Sequence, residues 1–280
     1  MQTRSLLRLY PFPGEEVAVQ GLYLQHRLHE LGTADAPFVY ANFLASLDGR
    51  IALEDIALGE TYIPKHLTTP SDFRLFMELH AQADCLITHG GYLRSLGGKR
   101  LGNILQVGIR PEHADLAEWR RQNGLAPQPA VVIASASLDF PMHDSLQQHR
   151  QEVLIATGRM ANPNRVSYWQ KQGYQVLITG EDRLVHGKPL IDALKNRGYK
   201  SIYLIAGPHM LDTIARERQL SRLYQTITHQ LLGGKDFRTL LPGPPLAEEG
   251  NLFLKSLYYE TDAPVGSGQF FTQFDLDPAH

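Results

Sequence analysis

The chain has 280 residues, 43% of them hydrophobic, which is enough for one large α/β core and too apolar for a disordered or fibrous polymer. Its 27 basic residues nearly cancel against 29 acidic ones and are scattered, so the electrostatic footprint of a nucleic-acid binder is missing. A single cysteine, Cys85, excludes an internal disulfide and suits a reducing cytoplasm, and no window nears the roughly 20 apolar residues of a membrane span.

The first 36 residues form a proline-punctuated extension in which the stretch MQTRSLLRLYPFPG is too interrupted for a secretory leader. Leu24, Leu28 and Leu31 recur at helical spacing in GLYLQHRLHELG, which predicts a helix there. From residue 37 the composition becomes that of a domain running to the end. FVYANFLA has strand character and stops at the turn pair Asp48-Gly49. Thr69 before Pro70 reads as an N-cap followed by proline at the first helical position, and DFRLFMELHAQ continues as an amphipathic helix. DCLIT is a strand, GGYLRSLGGKRLGN is loop chemistry, and HADLAEWRRQNG is a short helix ending at glycine.

Regular alternation follows. PAVVIAS and EVLIAT are strands, PNRVSYWQKQG a helix, YQVLITG a strand, KPLIDALKNRG a helix, SIYLIAG a strand, PHMLDTIARERQ a helix and LYQTITHQLLGG a strand. Short apolar strands alternating with helices imply a mostly parallel sheet covered on both faces. NLFLKSLYYE and GQFFTQF have no helix between them and predict an antiparallel pair at one edge.

The strongest site signal is AGPHM, Ala206 to Met210, where a core strand ends and a helix starts at once. Such a junction points free amides and the positive helix end beyond the strand ends, at the seat of a pyrophosphate; a plain tight turn has the same letters. THGGY repeats the idea, with Thr88 closing a strand and Gly90-Gly91 admitting a ligand to the backbone. In ATGRM, Thr157 and Arg159 stand where a loop meets an anion, and a guanidinium there suits a 2′-phosphate. The G-x-G-x-x-G fingerprint, the Walker pattern and a G-x-S-x-G elbow are missing. The histidines lack metal-site spacing, and no metal is expected.

Four segments in order, ASLDGRI, the Thr69 helix running into ADCLITHGG, AGPHM, and the closing strand with LLGG, resemble the reductase domain of bacterial riboflavin biosynthesis, the dihydrofolate-reductase-like half of the bifunctional deaminase-reductase. The resemblance spans about residues 38 to 260 and implies a dihydrofolate-reductase-like α/β fold, a homodimer, NADPH as cofactor, and reduction of the ribose of a phosphoribosylamino-pyrimidine. It makes Ala45 a cofactor contact, Asn42 and Ser46 substrate contacts, Ser135 a residue near the adenosine phosphate, and Gly207, Pro208, His209, Met210 and Leu211 the pyrophosphate turn. The helix carries His80 where family members tend to have a phosphate-gripping arginine, so His80 takes that substrate position. Tyr92, Leu96 and Ile205 also depart from the family's polar choices, so the scaffold matches more closely than the substrate pocket. No H-x-E with P-C-x-x-C accompanies them, so zinc deamination is not expected.

The expected activity is hydride transfer with a proton source, Asp48 or His89, with His80 a further choice; Asp48 equally suits capping of backbone amides. A nucleotide-binding or regulatory protein without catalysis is the alternative. Reduction of dihydrofolate itself ranks lower, because Glu78 is the only acidic residue credited to the first core helix as an anchor for a pterin.

Overall fold

The computed structural model describes residues 4–55, 60–64, 67–261 and 268–276. The chain opens with an antiparallel ribbon, β1 (Ser5–Tyr10) and β2 (Glu15–Ala18), where the sequence had marked only an arm. The helix expected over GLYLQHRLHELG is broken. A 3-10 turn, Leu24–His26, and one helical turn, α1 (Leu28–Leu31), are separated by Arg27 in the left-handed region at φ 47°. Its amides find partners elsewhere: Gly21 and Tyr23 donate to the Glu78 carboxylate at 2.6 and 2.9 Å, and Leu28 donates to Gln82 Oε1 at 2.8 Å. Tertiary acceptors on the first core helix thus replace the i−4 carbonyls.

That core begins with β3 (Phe38–Ser46), followed by the short strands β4 (Ala52–Asp55) and β5 (Glu60–Tyr62). The helix α2 (Pro70–Ala81) starts as its sequence dictates, with Thr69 Oγ1 accepting from the Asp72 amide at 3.2 Å. Next come β6 (Cys85–His89), α3 (Gly90–Gly97), α4 (Ala114–Gln122), β7 (Ala130–Ala134), α5 (Asp144–Gln148) and β8 (Val153–Thr157). Then α6 (Pro163–Lys171), β9 (Gln175–Ile178), α7 (Gly187–Lys195), β10 (Ser201–Leu204), α8 (Pro208–Arg216) and β11 (Arg222–Thr228) alternate. The chain closes with β12 (Phe237–Arg238), β13 (Phe253–Tyr259) and β14 (Gln269–Asp275).

The main sheet runs β2-β1-β13-β14-β11-β3-β10-β6-β7-β8-β9, and β12-β4-β5 form a small second sheet. From β11 to β9 every neighbour is parallel, while β14, β13, β1 and β2 pair antiparallel. The expected antiparallel edge with the closing hairpin is present, and the amino-terminal ribbon extends it beyond β13.

Period-two alternation divides the core. Phe38 and Tyr40 of β3 face a layer with Leu75 and Leu79 of α2, Leu93 of α3 and Trp169 of α6. Val39 and Ala41 face Leu190 and Leu194 of α7 and Leu211 and Ile214 of α8. Each fully buried Leu in these layers stabilises by about 1.5–3 kcal/mol. GGYLRSLG is helix rather than loop: Tyr92, Leu93 and Leu96 are buried on one side of α3. Its two leading glycines make room rather than a turn. A Cβ on Gly91 would lie 2.8 Å from His89 Nδ1, and one on Gly90 would lie 2.9 Å from Ser135 Oγ.

Candidate active site

The carboxyl ends of β3, β10, β6, β7 and β8 line one margin of the sheet, and the connections there carry the polar residues. At the end of β10 the chain passes through Gly207 directly into α8, with Pro208 at the first helical position, no side-chain cap and no acidic residue in the first turn. A Cβ on Gly207 would meet nothing nearer than His89 Nε2 at 3.8 Å, so the space before this helix end is open. An uncapped, positive helix end with room before it fits the phosphates of a dinucleotide. One and three strands from β10, the hydroxyls of Thr88 and Thr157 are buried without a hydrogen-bond partner near the ends of β6 and β8.

The turn after β3 is a clamp. The Ser46 hydroxyl donates to Asp48 Oδ1 and accepts from the Arg50 amide at 3.0 Å; Asp48 also accepts from Arg50 Nη1 at 2.5 Å and from the amides of Leu232 at 3.2 Å and Gly233 at 2.9 Å. This ties SLDG to LLGG. Burial works against ionisation of Asp48, but the Ser46 hydroxyl, the two loop amides and Arg50 outweigh it and draw the carboxyl down to about 2. A carboxylate with this many donors is permanently ionised and holds loops together. It is no proton source near neutrality.

His89 caps α3 and faces Gly207. Burial, then Arg94, lowers its imidazole to about 4, so it is neutral at pH 7. His80 is fully enclosed among Phe76 and Tyr203, with neither ring nitrogen bonded, and burial followed by Arg120 lowers it to about 3.

Asn42 and Leu44 point to the α2 side of β3, a central strand, yet both are only half-buried, so a cleft opens there. Its wall carries an acid that the sequence reading passed over. Asp72, in the first turn of α2, is 7% exposed and faces Thr226 of β11, whose register partner on β3 is Leu44. Beyond it lie Thr69, Glu260 and Gln269, with Thr69 Oγ1 2.9 Å from Gln269 Oε1 and 3.3 Å from Glu260 Oε2. Desolvation pushes the Asp72 carboxyl up to about 7; the Thr226 hydroxyl opposes this and the Glu260 charge adds to it.

A family model described as the RibD C-terminal domain matches residues 37–263. The chain belongs to the RibD C-terminal domain family. It is 23% identical over 234 residues to the 2,5-diamino-6-ribosylamino-4(3H)-pyrimidinone 5′-phosphate reductase of Archaeoglobus fulgidus, covering 83% of this chain and 95% of that protein. The reductase of the same name from Methanothermobacter thermautotrophicus is 24% identical over 215 residues, 76% of this chain and 87% of its own length. Among solved structures, a pyrimidine reductase-like protein of Corynebacterium diphtheriae superposes with a TM-score of 0.64 at 17% identity, covering 85% of this chain and 91% of that one. The riboflavin biosynthesis reductase Rib7 of Saccharomyces cerevisiae gives 0.54 at 15% identity, over 91% and 98%. The expected α/β fold, a mostly parallel central sheet flanked by helices with an antiparallel edge, is the one observed.

Within this RibD C-terminal fold the expected contacts fall into groups. Asn42 lies at the opening over β3 and His89, Gly91, Gly207, Pro208 and His209 lie around the helix end, none of them fully buried, while Met210 packs partly against the core on the α7 and α8 side. Ser46 and Asp48 are engaged in the clamp that ties SLDG to LLGG. Ala45, Ala206 and Leu211 belong to the core on the α7 and α8 side, which leaves their side chains no ligand to touch. His80 likewise has no surface with which to meet a substrate. Ser135 Oγ accepts from the Leu138 amide at 3.0 Å, and Gly90 packs against it. Arg159 is exposed and paired with Glu181 at 2.9 Å. The missed acid, Asp72, sits three residues after an N-cap threonine, where carboxylates ordinarily complement the helix end. Only the distant Thr226 and Glu260 set it apart.

Among the described residues no group of His, Cys, Asp and Glu is arranged to hold a metal, and no helix is long and apolar enough to cross a membrane.

Proposed function

We propose that the chain is an NADPH-dependent reductase that converts the ribosylamino group of a phosphorylated aminopyrimidine to its open-chain ribityl form. One observation carries the reading: an open, uncapped α8 end at Gly207 stands beside a polar cleft over β3 with a buried acid in its wall. The distance from β10 across β3 to β11 is two strand spacings, about 10 Å. The amides at Gly207 and His209 are the phosphate ligands, and the hydroxyls of Thr88 and Thr157 are free for further polar contacts. Arg159 is the residue for the 2′-phosphate, exchanging the exposed Glu181 carboxylate for it, which costs little at such a surface pair. Bound there, the reduced nicotinamide supplies a hydride. Asn42 orients the pyrimidine, and the clamp at Asp48 keeps the rim of the cleft in place. The names of the archaeal relatives support this substrate class. The reading also places the protein in the cytoplasm, with a small molecule as its substrate.

Mixing the purified protein with NADPH or NADH and following nicotinamide fluorescence is expected to give saturable binding that favours NADPH. Absorbance at the nicotinamide band should then fall when a phosphoribosylamino-pyrimidine is added. Binding of neither nucleotide removes the reading; binding with inertness toward both the diamino-pyrimidinone and the aminouracil forms selects the non-catalytic alternative.

The working unit in this reading is a homodimer. Phe253 at the start of β13 is 45% exposed and Phe12 beyond β1 is 84% exposed, a pair of apolar rings at the antiparallel flank of the sheet. Sedimentation equilibrium is expected to return twice the chain mass, and a monomer at micromolar concentration rejects the assembly.

A further inference from the structure

Two of the four buried carboxylates among the described residues have a cation beside them. Glu78 has Arg74 at 2.8 Å, and Asp275 has Arg222 at 2.5 Å. Asp72 and Glu260 do not fit that pattern. Glu260, 4% exposed, follows β13 and donates its amide to Gln269 O at 3.0 Å, while Gln269 Nε2 donates to Leu67 O at 2.6 Å. The groups acting on Asp72 are Thr226 from β11 and Glu260 from the end of β13, and its own charge reaches Tyr203 of β10 and Tyr23 of the amino-terminal segment. None of these is a cation. Desolvation is the main reason Asp72 holds its proton, and the neighbouring Glu260 charge adds to it.

Resting on the reductase reading, we propose that Asp72, enclosed beside Glu260 and beside Thr226, whose register partner on β3 is Leu44, is the proton donor of the reaction. The proton is needed where a carbon–nitrogen double bond is reduced. Opening of the ribosylamino ring gives an imine between the sugar carbon and the exocyclic nitrogen. That carbon takes a hydride from the reduced nicotinamide, which becomes oxidised. The π pair of the C=N bond moves to nitrogen, and nitrogen forms a bond to the proton of Asp72. Asp72 is left as carboxylate and recovers a proton from solvent, so the balance is one imine, one hydride and one proton to one secondary amine. His89, which faces Gly207, is neutral and a poor acid at pH 7.

The test begins without cofactor or substrate. Carbon-13 NMR of protein labelled at aspartate carboxyls, with the Asp72 signal assigned by its disappearance in Asp72→Asn, is expected to show a midpoint near pH 7. Glu260→Gln removes the like charge and moves that midpoint down. In turnover, Asp72→Asn is expected to lower kcat about 100-fold with NADPH affinity changed less than about twofold, the usual scale for losing a general acid. The wild-type kcat should fall as pH rises through 7, and in Glu260→Gln the fall should begin at lower pH. A merely structural role would not move the descending limb. If Asp72→Asn fails to fold, Thr226→Val takes its place, with a shifted limb expected. A wild-type Asp72 midpoint near that of an ordinary carboxylate, or full kcat in Asp72→Asn, overturns the proposal. A wild type that binds no nicotinamide cofactor and reduces neither ring type overturns the reductase reading instead, and the NMR midpoint still decides whether Asp72 holds its proton.

Discussion

Gly207→Asp is expected to fold as well as the parent and to weaken NADPH binding by at least about 100-fold, since like charges brought together at a site cost several kcal/mol. The two halves of this expectation pull in opposite directions, which makes it diagnostic. Gly207 has φ −72° and ψ −178°, a conformation any residue adopts, and its Cβ would find His89 Nε2 only at 3.8 Å. Aspartate is a favoured N-cap, so the variant should match or exceed the parent in thermal stability. The carboxylate nevertheless occupies the place of the phosphates and neutralises the helix end. Fluorescence titration with NADPH and a melting curve settle both halves. Unchanged affinity would move the phosphate seat elsewhere.

Arg120→Met is expected to lower stability by about 3–5 kcal/mol, and the melting temperature by about 10 °C, without altering NADPH affinity below the transition. Arg120 is fully buried. Its Nε donates to Ala126 O, and its Nη1 donates to Ala81 O and Ala83 O, each at 2.8 Å. Burial, opposed by Tyr40 and Asp84, lowers the guanidinium to about 10, so it stays charged at neutral pH. Methionine keeps much of the volume but leaves those carbonyls without a donor, including the orphan carbonyl at the end of α2. Calorimetry reads the loss. A melting temperature within two degrees of the parent would show that water replaces the guanidinium.

The parallel body of the fold was legible because each strand carries its own signal: β-branched runs, a glycine or a proline-led cap, then a helix of matching period. Elements defined by distant partners were not. β1 exists because Leu7 lies opposite Tyr259, at the far end of the sequence. α3 was hidden by Gly90 and Gly91, whose missing side chains answer to His89 and Ser135 rather than to a turn. The site shows the same division. AGPHM announces a free helix end locally, whereas Asp72 looks like any first-turn carboxylate until Thr226 and Glu260 are brought beside it. His80 failed for a related reason: helical phase does not say which side of α2 is sealed, and the sealed side includes His80.

The ribbon at the start of the chain makes the smallest foldable piece larger than the recognisable one. The family match begins at residue 37, after β1, β2 and the Glu78 and Gln82 contacts have been made. Trimming a gene to that boundary would strip β13 of its neighbour and leave a greasy trough where Leu22, Tyr23 and Leu28 had been seated, an invitation to clump. In this protein the matched domain leans on the segment before it, and the two are best kept together.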